Sequence, residues 1–285
     1  MILSPSIDSS TLDGIRKLVS RLCMAFRLEG LCNLQVARKG DTIFVIELNA
    51  RASRSIPFVS KASGTDWVRV AVRAAISGDS TFPESFISSY FLKVPVFPFD
   101  RYEDLEPLLG PEMKSTGEAM LSGKSLKEAV SKACSLIGIN DLGKGVVISV
   151  KNSDKPHILG MARKLTAAGI RIYATPGTHE YLCQNAVESN EIFKIEDVRE
   201  PKIDGVIRQT KPSLVLNTPS DTSGSIRDGF RMRRVCVTSG VTLVTNARLG
   251  RLMVDSLLQP QEQRCRSITE YRQSISDPGD ATQNS

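Results

Sequence analysis

At 285 residues, with 41% hydrophobic and 24% charged side chains, the chain has the composition of a soluble globular protein and, by length, room for two domains. Its formal charge of +6 is scattered along the chain and aromatics are only 6%, which argues against nucleic-acid binding and for a mild preference for small anions. No apolar run reaches the roughly 18 residues of a membrane span, no basic-then-apolar leader opens the chain, and six cysteines without a C-x-x-C pair, beside two histidines, exclude a zinc site of the usual spacing.

In chain order, residues 12–29 carry Ile15, Leu18, Val19, Leu22, Cys23 and Phe26 at intervals of three and four, predicting an amphipathic helix. Two strands follow at 32–37 and 42–48, joined by the turn Lys39-Gly40-Asp41. Residues 66–77 read as a helix capped by Asp66 and ended by Gly78. Residues 91–97 read as a strand that Pro95 confines to an edge or irregular place. Residues 125–138 read as a helix whose Ser125 and Glu128 have capping-box spacing. Beyond Gly143-Lys144-Gly145 the pattern alternates: strands at 146–150, 170–174, 213–217 and 242–245, a shorter one at 192–195, and helices at 158–168, 178–184, 225–239 and 247–258. Near-continuous apolar strands alternating with helices predict a parallel sheet covered on both faces. The polar, Ser/Gln-rich tail at 261–285 is expected to be disordered. The dispersed cysteines suit buried, reduced thiols in a cytosolic protein.

Two stretches carry chemistry. The first is QVARKGDTIFVIELNARASRS, residues 35–55. Residues two apart in a strand share a face, so Glu47 and Asn49 point the same way at the end of an apolar run. Such oxygen ligands suit a hard divalent cation carrying phosphates, and Arg51 and Arg54 just beyond could hold phosphate oxygens in bidentate fashion. The plainer alternative is a strand with a polar end. The second is Thr175-Pro176-Gly177-Thr178, where a strand gives way to a helix. A small-residue turn there offers backbone amides at a helix start, a good anion site; the alternative is a simple capped turn. Lys155 and Lys194 can reach the same carboxyl edge of the sheet, where ligands of open α/β sheets bind, or can be solvated surface lysines.

Taken together, Gln35, Glu47, Asn49, Arg51, Arg54 and the segment PFVSKASG at 57–64 resemble the second ATP-grasp unit of the carbamoyl-phosphate synthetase large subunit. PLLGPEMKSTGEAM at 107–120 resembles the stretch just past that unit, and YATPGT at 173–178 resembles the family's methylglyoxal-synthase-like regulatory domain. The resemblance implies an α/β chain: a truncated ATP-grasp portion at 1–142, then a doubly wound parallel-sheet regulatory domain at 143–260. It implies Gln35, Glu47 and Asn49 as ligands of Mg2+ or Mn2+ bridging the phosphates of ATP, with Arg51 and Arg54 at the phosphate or carbamate end. It implies Lys155, Thr175, Thr178, Lys194, Asn217 and Thr218 as the binders of a nucleotide effector's phosphate, of the UMP, UDP or UTP kind. Partners would be the N-terminal part of the synthetase and a glutamine amidotransferase in the cytoplasm, in pyrimidine or arginine biosynthesis. Because most of the nucleotide-enclosing part precedes Gln35 in the family, the chain alone is expected not to make carbamoyl phosphate.

Some residues depart from the bacterial pattern. Pro219 replaces a threonine, and Val94 and Leu243 fall where bacterial enzymes place an ornithine-binding glutamate and tyrosine, so ornithine activation is not expected. TLVTN at 242–246 is closer to the eukaryotic pyrimidine-pathway type, and the two lysines favour a phosphate ligand over N-acetylglutamate. Two other functions compete: a stand-alone nucleotide sensor, and a methylglyoxal-synthase-type lyase using one of Glu180, Glu196, Asp197 or Asp221 as proton carrier. His179 is placed to cap or line the effector site and His157 to open a helix. Neither histidine has the G-x-S-x-G elbow or the cysteine context of a nucleophilic triad.

Overall fold

Local chemistry fixes the first helix earlier than hydrophobic spacing alone predicts. The computed structural model describes residues 7–79, 81, 89–102, 105–110, 112–219, 223–259, 267 and 270. In it, Asp8 accepts the Thr11 amide at 2.8 Å and caps α1, Ser9–Ala25, which therefore begins ahead of Leu12 and ends before residue 29. Asp221 and, apart from residues 267 and 270, the expected disordered tail lie outside the described residues. Contacts divide the chain into two units, residues 1–89 with 265–285, and residues 90–264.

In the first unit β1, Asn33–Lys39, pairs antiparallel with β2, Thr42–Asn49, across the Gly40-Asp41 turn. The register shifts between Gln35 and Val36, leaving Ile46 as the extra residue of a β-bulge. The shift decides which side chains share a face. Gln35, Glu47 and Asn49 fall on one side, while Ile43, opposite Arg38, falls on the other. That second face is the one α1 covers: a Cβ on Gly14 would stand 3.0 Å from Ile43 Cδ1, and Arg38 bonds Asp8 at 2.8 Å. Two helices follow, α2, Ile56–Ser63, and α3, Trp67–Ser77. Asp66 caps α3 through the Arg69 amide at 3.1 Å, and Gly78 closes it at φ +68°, a conformation glycine adopts without cost.

The second unit opens with the hairpin β3, Tyr90–Val96, and β4, Gly117–Gly123, in which Pro95 faces Glu118. A two-stranded ladder leaves each strand an edge, which is why the proline is tolerated. Next comes α4, Leu126–Leu136. The sheet then builds from β5, Val146–Ser149; β6, Ile172–Ala174; β7, Asn190–Glu191; β8, Leu214–Asn217; and β9, Leu243–Val244. All pairings are parallel, in the order β7-β6-β5-β8-β9. The third strand pairs at 190–191 rather than at 192–195, although the Ile192 amide still reaches Ala174 O at 2.9 Å. The crossovers are α5, Lys155–Ala167; α6, Pro176–Gln184; α7, Ile203–Thr210; and α8, Ser223–Thr238; α9, Ala247–Leu257, follows the last strand.

Alternation along the strands splits the core. Val146, Ile148, Leu214 and Leu216 pack with side chains of α4, α5, α6 and α9; Val147 and Val215 turn to the other face, against α7 and α8. This is a doubly wound sheet with helices on both sides. Each fully buried Ile, Leu or Val contributes about 1.5–3 kcal/mol of transfer free energy, so the burial of Ile148, Leu214 and Leu216 at 0% exposure ties strands and helices into one body. The thiols are less uniformly buried than composition suggests. Cys134 and Cys236 are buried, Cys23 and Cys32 are half-buried, and Cys183 is exposed on the outer side of α6. No helix among the described residues is long and apolar enough to cross a membrane.

Candidate functional site

The strand order reverses between β5 and β8: β6 and β7 lie to one side of β5, β8 and β9 to the other. The two crossovers leave in opposite directions there and open a crevice at the carboxyl ends of the strands. A cleft of about 480 Å3 occupies that place. Lys155, Thr175, Thr178, Lys194, Asn217 and Thr218, the six residues singled out as phosphate binders, all line it.

Each is positioned by an element end. Ser149 closes β5, and its carbonyl accepts from Asn217 Nδ2 at 3.1 Å and from the Thr218 amide at 3.2 Å. Thr218 Oγ1 in turn accepts the Lys151 amide at 3.0 Å, and Thr178 Oγ1 accepts the Val150 amide at 3.4 Å. Both hydroxyls are used as acceptors, so each keeps its proton for a ligand oxygen. Thr175 is the N-cap residue of α6, with Pro176 at its first position, and its Oγ1 lies 3.3 Å from Ser149 Oγ. These four residues are buried, Thr178 to 1% exposure, so the cradle is built into the sheet.

The lysines come from further along the chain. Lys155 lies beyond the end of β5, as the first residue of α5 after a 3-10 turn. Its Nζ crosses toward α6, 3.4 Å from where a Cβ on Gly177 would stand and 6.0 Å from the Tyr181 ring. Lys194 is held 3.3 Å from Asp228, so part of its charge is already balanced inside the cleft. Arg233 was not singled out by the sequence. It lies on α8 at 3% exposure, bonding Asn217 Oδ1 through Nη1 at 2.8 Å and Glu106 through Nε and Nη2 at 2.7 and 3.1 Å. The signal that could have found it is an arginine pair, Arg233-Arg234, inside an amphipathic helix, where a charge is out of place unless paired.

His179 does not line this cleft. Its Nδ1 meets Ser189 Oγ at 2.8 Å, beside the exposed Cys183. His157 sits exposed in the first turn of α5. Among the carboxylates weighed as proton carriers, Glu196 pairs with Arg231 and Glu180 is exposed, accepting from Gln184. Asp197 lines the cleft, but hydrogen bonds from the Arg199 side chain and amide hold its carboxyl down at about 2. A carboxylate so acidic is a poor base near neutrality, so Asp197 is poorly suited to carrying a proton there.

In the first unit the geometry is a ladder end. Gln35 stands directly opposite Glu47, and Asn49 lies two residues on along the same face. Arg51 follows at once, its amide bonded to Asn49 O at 2.9 Å and its Nη1 to Ala52 O at 3.1 Å. Arg54 lies just before α2. Glu47, Arg51 and Arg54 are exposed. No group of three or more His, Cys, Asp or Glu side chains comes together among the described residues. The three candidates include one carboxylate and two amides. That oxygen-only set fits Mg2+ or Mn2+ whose remaining ligands are phosphate oxygens, and is too poor in charge to hold either ion alone.

Residues 157–245 match the family described as MGS-like domain, and residues 3–80 match the carbamoyl-phosphate synthase L chain, ATP binding domain. A carbamoyl phosphate synthase large chain of Thermoplasma volcanium is 45% identical over 251 residues, covering 88% of this chain and 24% of the relative. One from Methanosarcina barkeri is 33% identical over 281 residues, covering 95% of this chain and 70% of the relative. The mitochondrial carbamoyl-phosphate synthase [ammonia] of Rattus norvegicus is 31% identical over 286 residues, covering 96% of this chain and 19% of the relative. The chain thus spans about a quarter of the length of the Thermoplasma large chains it matches.

Proposed function

Since this chain belongs to the carbamoyl phosphate synthase large-chain family, we propose that it serves as the C-terminal part of a glutamine-dependent carbamoyl-phosphate synthetase: one ligand ladder of the ATP-dependent carbamate-phosphorylating unit, followed by a domain that senses a phosphorylated nucleotide. The observation that carries the regulatory half is the gathering of Lys155, Thr175, Thr178, Lys194, Asn217 and Thr218 around one cleft at the sheet's reversal point. Buried hydroxyls with unused protons, an Asn amide and lysines from two crossovers form a donor-rich cradle for a phosphate. Two lysines, and TLVTN at 242–246, support a uridine nucleotide and the pyrimidine-pathway type.

The synthetic half is read from the ladder register. Gln35 opposite Glu47, with Asn49 on the same face, would hold a Mg2+ or Mn2+ ion together with ATP, and the ion supplies charge neutralisation at the transferring phosphoryl group. Arg51 and Arg54 hold phosphate or carbamate oxygens at the strand exit. Phosphoryl transfer depends chiefly on such positioning. The remainder of a large chain and an amidotransferase delivering ammonia complete the reading as partners in the cytoplasm.

Titrating the protein with UMP by calorimetry tests it. We expect saturable heat with UMP, and binding weakened about tenfold, the equivalent of 1.4 kcal/mol, in Lys194→Ala. An absence of heat with UMP, UDP and UTP removes the sensing role.

A further inference from the structure

Arg233 has partners on both sides of it. Toward the cleft, Nη1 bonds Asn217 Oδ1 at 2.8 Å. Away from it, Nε and Nη2 grip both carboxylate oxygens of Glu106. Glu106 belongs to the long connection between β3 and β4, residues 97–116. The neighbouring Arg234 holds the same connection through the Phe99 and Leu105 carbonyls, at 2.8 and 3.4 Å. The clasp is lopsided. The Arg233 side chain is 3% exposed and the Glu106 side chain 33%, so the carboxylate can leave into water whereas the guanidinium cannot. A buried guanidinium must keep an anionic partner, but that partner need not be Glu106.

Resting on the reading of the cleft as a phosphate site, we propose that a phosphate bound beside Asn217 competes with Glu106 for Arg233, so that effector binding unlatches the β3–β4 connection. The exchange of one oxyanion for another leaves no buried charge unpaired at either end. It turns occupancy of the cleft into a change in a segment outside the sheet, with Arg233 as the shared element. Such coupling is reciprocal: whatever releases Glu106 must tighten the anion. Glu106→Gln keeps the shape and one acceptor oxygen but removes the competing charge.

Calorimetry with UMP on the 285-residue chain should show Glu106→Gln binding about tenfold more tightly than the unaltered protein, within the range common for coupled sites. In the unaltered protein, UMP should speed hydrogen exchange across residues 97–110, where the Arg101 and Leu105 amides bond to Pro98 and Tyr102 carbonyls; this measurement needs no variant to fold. Equal UMP affinity in both proteins, or exchange across 97–110 that UMP leaves unchanged, overturns the latch while the sensing role stands. No binding by either protein overturns both.

Discussion

Arg233 shows how much one residue's surroundings can reverse an ordinary expectation. Gly229 sits one turn before it on α8, and a Cβ there would meet Arg233 Nη1 at 2.7 Å and Cζ at 3.4 Å. In an open helix, Gly→Ala gains about 1 kcal/mol. Here the guanidinium is fixed by Glu106 and Asn217 and has nowhere to swing. Losing a charged buried hydrogen bond costs about 1.5–3 kcal/mol, so the penalty outweighs the helical gain. Gly229→Ala should lower unfolding free energy by about 0.5–2 kcal/mol; urea titration that finds the variant more stable contradicts the clasp. The six cleft residues were legible in the sequence because they sit at the ends of regular strands, or just beyond them, and share a resemblance to known positions. Arg233 was not, because its meaning depends on Glu106, 127 residues away, and no local pattern carries that pairing. His179 failed for the opposite reason. Its place after the TPGT turn suggested the cleft, but one residue past Thr178 a helix has already rotated its side chain toward Ser189.

Among the elements, those with chemical punctuation were legible and those without were not. At the start of α4, Ser125 Oγ accepts the Glu128 amide at 3.1 Å, as S-x-x-E spacing predicts. Glu128 reaches back one residue further than a capping box requires, to the Lys124 amide at 2.7 Å, and also pairs with Lys132. Ser125→Ala should cost about 1 kcal/mol, read as a shift in denaturant midpoint without a change in slope; an unchanged midpoint would mean the Glu128 bonds suffice. By contrast β4, GEAMLSG, carries glycine at both ends and no β-branched residue, so nothing local marks it, and only its pairing with β3 makes it a strand. The helix α7 was missed although Ile203, Val206 and Ile207 are buried at helical spacing. Gly205 in its middle and its eight residues obscure the period. Turn chemistry did transmit: Gly145 adopts φ +86° with Arg171 O only 2.9 Å from any Cβ it might carry, so the change of pattern noted there is a position only glycine fills.

At the scale of the folded sheet domain, two cores on opposite faces each hold a thiol. Cys134 lies in the core with α5 and α9, and Cys236 in the core with α7 and α8. Burial pushes Cys134 up to about 11 and Cys236 up to about 12, the latter against the opposing pull of the Arg233 charge. Both thiols therefore stay protonated in the native protein at pH values where the unfolded chain, near 9.0, has lost the proton. The native state then binds more protons than the unfolded one, so stability must fall as pH rises from about 9 through the raised values. For Cys236 at pH 10.5 the loss is about 2 kcal/mol relative to pH 8. Lysines and tyrosines titrate in the same window, so a fall in the unaltered protein is not by itself diagnostic. Cys236→Ala separates them. It costs stability at pH 8 by leaving a small void, but it should flatten the decline to pH 10.5 by about that same 2 kcal/mol. Parallel declines in the two proteins would mean that the Cys236 thiol ionises as readily in the fold as out of it, and that the core on the α8 face admits water.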